Sequence, residues 1–212
     1  MSPPGKGELA IITKGQHIHF DAKSTPVLKG IIIQEGSLIF DDNQDVSLDV
    51  EYLLILNGGK LQVGTEEYPF QHNAVITMHG HVKSIELPIF GSKVIGLREG
   101  TLDLHGRPVG VTWTHLGISA LKGSSEITVK EPVVWPVGST IVIAPTGDKR
   151  SAGEQDKRII TGKSNGDRTL TLDLPLKFDH LSEARTVGSG SETFTIHVMA
   201  EVGLLSRNVV FR

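Results

Sequence analysis

Several residue types and patterns are absent from this 212-residue sequence or rare in it. There is no cysteine, which excludes disulfide bonds, a cysteine nucleophile and zinc sites built on thiolates. Aromatic residues make up only 5% of the chain, so we expect a core of small and aliphatic side chains. The formal net charge is −3, and no dense basic patch offsets it, so binding to nucleic acid is not predicted.

Long hydrophobic runs are also missing. No apolar run approaches the roughly 18 residues that a membrane span needs, and the opening "MSPPGKG" lacks the apolar segment of a signal peptide. None of the asparagines is followed at the second position by Ser or Thr, so N-glycans are not expected. We therefore expect no direct contact between this segment and a membrane.

Glycine occurs 24 times and recurs at a regular interval. The stretches "EGSLIF", "GGKLQV" and "EGTLDL" each place a leucine two residues after a glycine, and two further glycines extend the series to Gly15, Gly36, Gly59, Gly80 and Gly100. An interval of 20 to 23 residues is typical of one coil of a parallel β-solenoid. The alternative is that the glycines of a β-rich protein fall into such a series by chance.

The solenoid interpretation makes two structural predictions. The glycines should form one column at a corner that requires a residue tolerant of positive φ. The apolar residues at +2 should stack in one interior ladder, made of Leu38, Leu61, Val82 and Leu102.

The predicted fold class is all-β: a right-handed parallel β-helix with an inserted or appended antiparallel β subdomain. We expect at most one short helix, either between Thr114 and Leu121 or at 179–185. The pair Asn165-Gly166 lies between two β-rich runs and predicts a hairpin. Within a single domain spanning 11–212, the coils should occupy 11–117, the antiparallel subdomain 118–191, and a return strand 192–212. That strand ends on apolar residues without a polar cap, so we expect further β-helix coils to follow it.

Candidate residues for metal binding occur in two places. Asp41, Asn43 and Asp45 alternate as in a calcium loop, but Val46 and Tyr52 stand where that loop has glycine and glutamate. Two histidine pairs, "HIH" (17–19) and "HGH" (79–81), would each supply two zinc ligands, and a third would have to come from His105 or His115. Ordinary polar turn and strand positions explain both groups more simply.

Other candidate chemistry is sparse. Trp113 and Trp135 could be sugar-stacking platforms or buried aromatic residues, and we favour burial. The charged run from Gly147 to Arg158 is interpreted as a solvated loop. No paired carboxylates, nucleophile motif or phosphate loop is recognisable. We therefore predict no catalytic residue, no cofactor-binding residue, no metal ligand and no cofactor.

Three stretches carry a family resemblance: "NGGKLQVGTEEYPF" (57–70), "GTLDLHGRPVGVTWTHL" (100–116) and "EVGLLSRNV" (201–209). They resemble the eight-glycine domain of large cell-surface proteins, a group that includes fibrocystin, the fibrocystin-like protein and relatives of a cell-surface hyaluronidase. The resemblance extends from about Ile11 to the end of the sequence.

This resemblance implies a non-catalytic structural or interaction module at the extracellular face of the plasma membrane. It further implies a place within a single-pass membrane protein, associated with cilia or stereocilia in the fibrocystin branch. The implied partners are adjoining β-helix repeats of the same chain and an extracellular protein or glycan. The hyaluronidase relatives imply an alternative, the binding or depolymerisation of hyaluronan, and adhesion between like domains remains a third possibility.

Overall fold

The protein is all-β in its computed structural model, which describes residues 3–81, 83–189 and 192–212. Within these ranges the regular elements are strands and one 3₁₀ turn, Lys149–Ser151. The strands are Leu9–Ile12 (β1), His17–Phe20 (β2), Gly30–Gln34 (β3), Ser37–Phe40 (β4), Val46–Val50 (β5), Leu53–Leu56 (β6), Lys60–Val63 (β7), Ala74–Met78 (β8), Ile95–Arg98 (β9), Thr101–Leu104 (β10), Trp113–His115 (β11), Glu126–Thr128 (β12), Thr140–Ile143 (β13), Asp156–Ser164 (β14), Thr169–Leu172 (β15), Ser182–Ser189 (β16), Glu192–Met199 (β17), Glu201–Leu204 (β18) and Val209–Phe211 (β19).

Both candidate positions for a short helix are wrong. Thr114 lies inside strand β11, and the stretch at 179–185 runs into strand β16. The first segment pairs with the distant strand β18, and the second pairs with the next strand along the chain, β17. Strand pairing therefore overrides the weak local helix signal.

The chain forms two compact units. Unit 1 consists of the chain up to Pro108 together with Arg207–Arg212, and unit 2 consists of Val109–Ser206. Unit 2 is thus inserted in sequence between two parts of unit 1.

Unit 1 contains three parallel sheets, with strand orders β1-β3-β6-β9, β2-β4-β7-β10 and β5-β8-β19. The chain visits the sheets in turn, so each strand pairs in parallel with the strand that follows one round later. In β5, alternate residues Val46, Leu48 and Val50 are buried, which is the period of two expected of a strand with one face on a core. Each fully buried aliphatic side chain of this core contributes roughly 1.5–3 kcal/mol to stability.

The predicted interior ladder is present for three of its four members. Leu38 pairs with Leu61, and Leu61 pairs with Leu102. Leu38 and Leu61 are buried, whereas Leu102 in the outermost strand is 37% exposed. The fourth predicted member, Val82, lies outside the described residues.

The glycine column is correct at three positions and wrong at two. Gly36, Gly59 and Gly100 succeed one another, because Lys60 N donates to Gly36 O over 3.0 Å and Thr101 N donates to Gly59 O over 2.9 Å. The next position in that column is held by Gln16, whose carbonyl accepts from Ser37 N, so Gly15 lies one residue out of register. Gly80 follows strand β8 of the third sheet and belongs to a different corner. The sequence interval alone could not distinguish one corner from another.

The predicted reason for the glycines is also wrong. Positive φ occurs at the preceding residues, for example +56° at Glu35 and +54° at Glu99, and not at Gly36 or Gly100. A Cβ added at Gly36 would lie 2.6 Å from Thr13 O, and one at Gly100 would lie 2.7 Å from Ile55 Cγ2. These glycines are required because the neighbouring round of chain passes too close for any side chain.

Unit 2 contains a six-stranded antiparallel sheet with the order β11-β18-β13-β14-β15-β12. The predicted hairpin at Asn165-Gly166 is confirmed: it joins β14 to β15, with φ of +52° and +62° at these two residues. Trp135 is fully buried in this unit's core among aliphatic side chains. Strands β16 and β17 form a separate antiparallel pair.

Candidate functional site

The histidine pairs considered as zinc ligands contact other groups. His17 Nδ1 lies 2.6 Å from Ser37 Oγ, and His19 Nδ1 lies 2.7 Å from Asp41 Oδ1. His79 Nε2 lies 2.7 Å from Asp49 Oδ1, while His81 Nδ1 accepts from a backbone amide. Among the described residues, no group of three potential metal-ligating side chains converges. The contacts of His17, His19 and His79 each join two successive rounds of the chain in unit 1.

The acidic stretch considered as a calcium loop fastens one corner of unit 1 to the next. Asp42 accepts from Gln71 N over 2.6 Å and from His72 N over 2.9 Å, and its Oδ1 lies 2.7 Å from His72 Nδ1. Asp45 accepts from the backbone and side-chain nitrogens of Asn73. Burial raises the pKa of Asp42, but the hydrogen bonds from His72 and Gln71 outweigh it and leave this pKa below its ordinary value. The carboxylates of Asp42 and Asp45 are therefore hydrogen-bonded to residues 71–73 of the next round.

Asn208 continues this fastening at the same corner. Its Nδ2 donates to Phe70 O over 2.6 Å and to His72 O over 2.7 Å, and its Oδ1 accepts from Arg107 N over 2.9 Å. Its own carbonyl accepts from Ala74 N over 2.7 Å. The side chain is buried, and these three hydrogen bonds of its amide all go to backbone atoms. Asn208 therefore ties the backbone at Phe70 and His72 to the backbone at Arg107.

Unit 2 holds a buried ionic cluster that the sequence interpretation missed. Asp156 and Arg158 face the core from β14, with 1% and 5% exposure, although they end the charged run interpreted as a solvated loop. Arg158 Nη2 lies 2.5 Å from Asp156 Oδ1 in an ion pair without hydrogen-bond geometry. The guanidinium also donates to the carbonyls of Lys157, Leu174 and Pro175. The cluster therefore anchors the irregular segment after β15 to the sheet.

His180 completes the cluster and is fully buried. Its Nδ1 lies 2.9 Å from Ala144 O, which can only accept, so Nδ1 carries a hydrogen. Its Nε2 lies 3.0 Å from Asp156 Oδ2, which also accepts from the backbone nitrogens of Lys177 and Phe178. The His180 ring therefore joins the backbone at Ala144 to the carboxyl of Asp156.

The charge state of Asp156 follows from these contacts. Burial alone raises the pKa of this carboxyl. The hydrogen bonds from His180, Phe178 and Lys177, with the charge of Arg158, outweigh burial and hold the pKa of Asp156 below its ordinary value. In "DKRII" (156–160) the three charged residues are consecutive, so no alternation with apolar residues marks Asp156 and Arg158 as buried.

The two tryptophans have different environments. Trp135 is buried, and its Nε1 donates to Val111 O over 2.7 Å, as favoured from the sequence. Trp113 is 55% exposed, and its ring meets that of His115 edge-on with centroids 5.2 Å apart. Trp113 lies on β11, which pairs with β18. The structure thereby brings together the motif stretches at 100–116 and 201–209.

A family model, the G8 domain, matches residues 1–117. The chain belongs to the G8 domain family. It is 49% identical over 210 residues to fibrocystin-L of Mus musculus, covering 99% of this chain, and 48% identical over 211 residues to fibrocystin-L of Homo sapiens, covering 100%. It is also 32% identical over 209 residues to fibrocystin of Mus musculus.

The resemblance to the eight-glycine domain of fibrocystin and the fibrocystin-like protein is therefore confirmed. This G8 chain spans only 5% of the length of each of these relatives. No helix among its described residues is both long and apolar enough to cross a bilayer.

Proposed function

We propose that this G8 chain is a non-catalytic structural and interaction module in the extracellular part of a large fibrocystin-like protein. Unit 1 acts as a segment of a right-handed β-helix, and unit 2 is an antiparallel domain inserted into its fourth coil. The three parallel sheets, visited in turn by the chain, support the coil architecture. The identity to fibrocystin-L and fibrocystin supports the setting. Such a protein lies at the extracellular face of the plasma membrane, in the fibrocystin branch at cilia or stereocilia.

The partners proposed for unit 1 are adjoining β-helix repeats of the same polypeptide. The observation that carries this proposal is the exposure of the inner columns at the last round. Leu97 is 48% exposed although Ile55 beneath it is fully buried, and Leu102 is 37% exposed although Leu61 beneath it is fully buried. A further coil pairing with β9, β10 and β19 would cover these side chains, at roughly 25 cal/mol per Å² of apolar surface removed from water.

A comparison of two extended proteins tests this proposal. One carries the residues that follow Arg212 in the full-length parent protein, enough for about one coil, and the control carries a Gly-Ser tail of the same length. We expect the natural extension to raise the melting temperature and to slow amide exchange in β9 and β10. Equal exchange in both proteins would contradict coil stacking. An experimental structure of the extended protein gives the handedness.

The non-catalytic role has its own test. We expect high-molecular-weight hyaluronan to keep its chain length after incubation with the folded protein. Shortened hyaluronan would replace the structural role with a depolymerising one. Epitope tags placed beside this G8 segment in the full-length parent should be stained on intact, unpermeabilised cells, and staining only after permeabilisation would refute the extracellular location.

A further inference from the structure

The outer face of the six-stranded sheet in unit 2 carries a row of four residues. The strand registers place Trp113 opposite Gly203, Gly203 opposite Val142, and Val142 opposite Lys157. The neighbouring residues Thr114, Val202 and Ile141 point to the core and are buried, so the row faces away from it. Trp113 is 55% exposed on this face.

Because Gly203 has no side chain, the row has an open space above the backbone beside the indole ring of Trp113, which we call the floor of the face. Its φ lies outside the positive region, so the backbone does not require glycine there. A Cβ added to it would lie 3.5 Å from Val142 Cγ1, which is ordinary van der Waals contact, so packing does not require glycine either. This contrasts with Gly36 and Gly100, where a Cβ has no room. A strand glycine that the fold does not need is typical of a place where another molecule approaches the backbone.

The rim of this floor is polar and balanced in charge. His115 lies opposite Glu201 in the adjacent pair of β11 and β18, and Lys157 ends the row. The edge-on contact with His115 supports the Trp113 ring in one orientation. One carboxylate and one ammonium offset each other, so the face has no preference for an anionic ligand.

The size of the face decides between occupants. The exposed apolar side chain of Ile159 lies on the same face, two residues after Lys157 in β14. Trp113 and Ile159 are the large exposed apolar side chains that the strand register places on this face, whereas a stable dimer buries about 800 Å² per partner. The area fits a short ligand with one apolar face and polar edges better than a second copy of the chain.

We propose that this face, the Trp113–Lys157 row with His115 and Glu201, binds a neutral oligosaccharide. A pyranose ring presents apolar C–H groups on its faces and hydroxyl groups at its edges. Its C–H face stacks on Trp113 above the floor at Gly203, while His115, Glu201 and Lys157 hydrogen-bond its hydroxyls. The inference is independent of coil stacking in unit 1.

The test uses the full 212-residue chain on a printed array of neutral glycans, sialylated glycans and hyaluronan fragments, followed by titration calorimetry with a neutral glycan that binds. Trp113→Ala should weaken that binding by about tenfold or more, and Trp113→Tyr should restore most of it because the ring remains. Gly203→Val should also abolish binding while leaving the melting temperature unchanged or higher, since the added side chain fills the floor of a strand that favours β-branched residues.

Leu121→Ala is the matched control, because Leu121 is an equally exposed apolar residue elsewhere in unit 2, and it should bind like the wild type. The proposal is overturned if no neutral glycan binds, if only hyaluronan or sialylated glycans bind, or if binding survives both Trp113→Ala and Gly203→Val. It is also overturned if sedimentation shows a dimer that Trp113→Ala dissociates, because the face would then be a protein interface.

Discussion

The buried ionic cluster of unit 2 shows how strongly single residues are constrained in this G8 chain. Asp156, Arg158 and His180 lie in a core that otherwise consists of aliphatic side chains and Trp135. Removing one partner of a buried ion pair leaves the other charge uncompensated, which typically costs about 3–5 kcal/mol. Removing one partner therefore lowers the free energy of unfolding by more than the intact network contributes to it.

We predict that Asp156→Asn lowers the free energy of unfolding of unit 2 by about 3–5 kcal/mol, measured by urea unfolding monitored at Trp135. The control is Asp148→Asn, because the Asp148–Arg150 pair is solvent-exposed and its loss should leave the unfolding midpoint unchanged. Equal midpoints for wild type and Asp156→Asn would contradict a stabilising role for the ionised carboxyl.

The same carboxyl sets a pH dependence. Because the pKa of Asp156 is lower in the folded chain than its ordinary value of 3.8, its contribution is present above that value and is lost as pH falls through the folded pKa. Unfolding of unit 2 should therefore become easier below pH of about 4, and the acid limb should be flatter in Asp156→Asn. Identical acid limbs in the two proteins would contradict this assignment.

At the scale of elements, the last strand is short but makes specific contacts. Strand β19 pairs with β8, and the backbone around it accepts from Ala74 N and Met78 N, each over 2.7 Å. Because Asn208 precedes β19 directly, its side chain and the strand act together on the edge of the third sheet. The five residues from 208 onward therefore close that edge.

We predict that truncation after Arg207 speeds hydrogen exchange at Ala74 N and Met78 N, because both lose their acceptors. Val46 lies one round earlier, and its amide donates to Asn73 O. This amide is the internal control and should keep most of its protection. Unchanged exchange at Ala74 and Met78 would show that β19 is not needed to protect β8. Exchange is measured residue by residue by NMR.

How much of each element the sequence predicted depends on where its partners lie. The pattern of glycine followed by leucine located Gly36, Gly59 and Gly100, because the close approach of a neighbouring round and the inward side chain recur at the same place in each round. The same pattern misplaced Gly80, because glycines also serve other corners. Asp156 was missed because its partner His180 is distant in sequence, and a charged run gives no sign of distant partners.

At the scale of the whole molecule, the chain leaves unit 1 and returns to it at one corner of that unit. Arg107 N donates directly to Asn208 Oδ1 over 2.9 Å, so the points where the chain leaves unit 1 and returns to it are adjacent. Each unit also has its own buried core. We therefore expect unit 1 to fold without unit 2 when this corner is closed.

We predict that replacing residues 109–206 with a flexible Gly-Ser linker of about four residues leaves unit 1 folded. Circular dichroism should show a β-rich spectrum and a cooperative melting transition, and Asn208→Ala in the shortened chain should lower its melting temperature. The excised segment 109–206, expressed separately, is the companion control and should show the blue-shifted emission of buried Trp135. A shortened chain that fails to fold while the excised segment folds would contradict this independence.

The hydrogen bond between Arg107 and Asn208 has a consequence for how such proteins diversify. We expect an inserted segment whose ends lie close together to leave the register of the parallel strands in unit 1 unchanged. The G8 family model, which matches residues 1–117, ends soon after Arg107. The three parallel sheets of unit 1 can thus stay constant while the segment inserted between Arg107 and Asn208 changes in length or sequence.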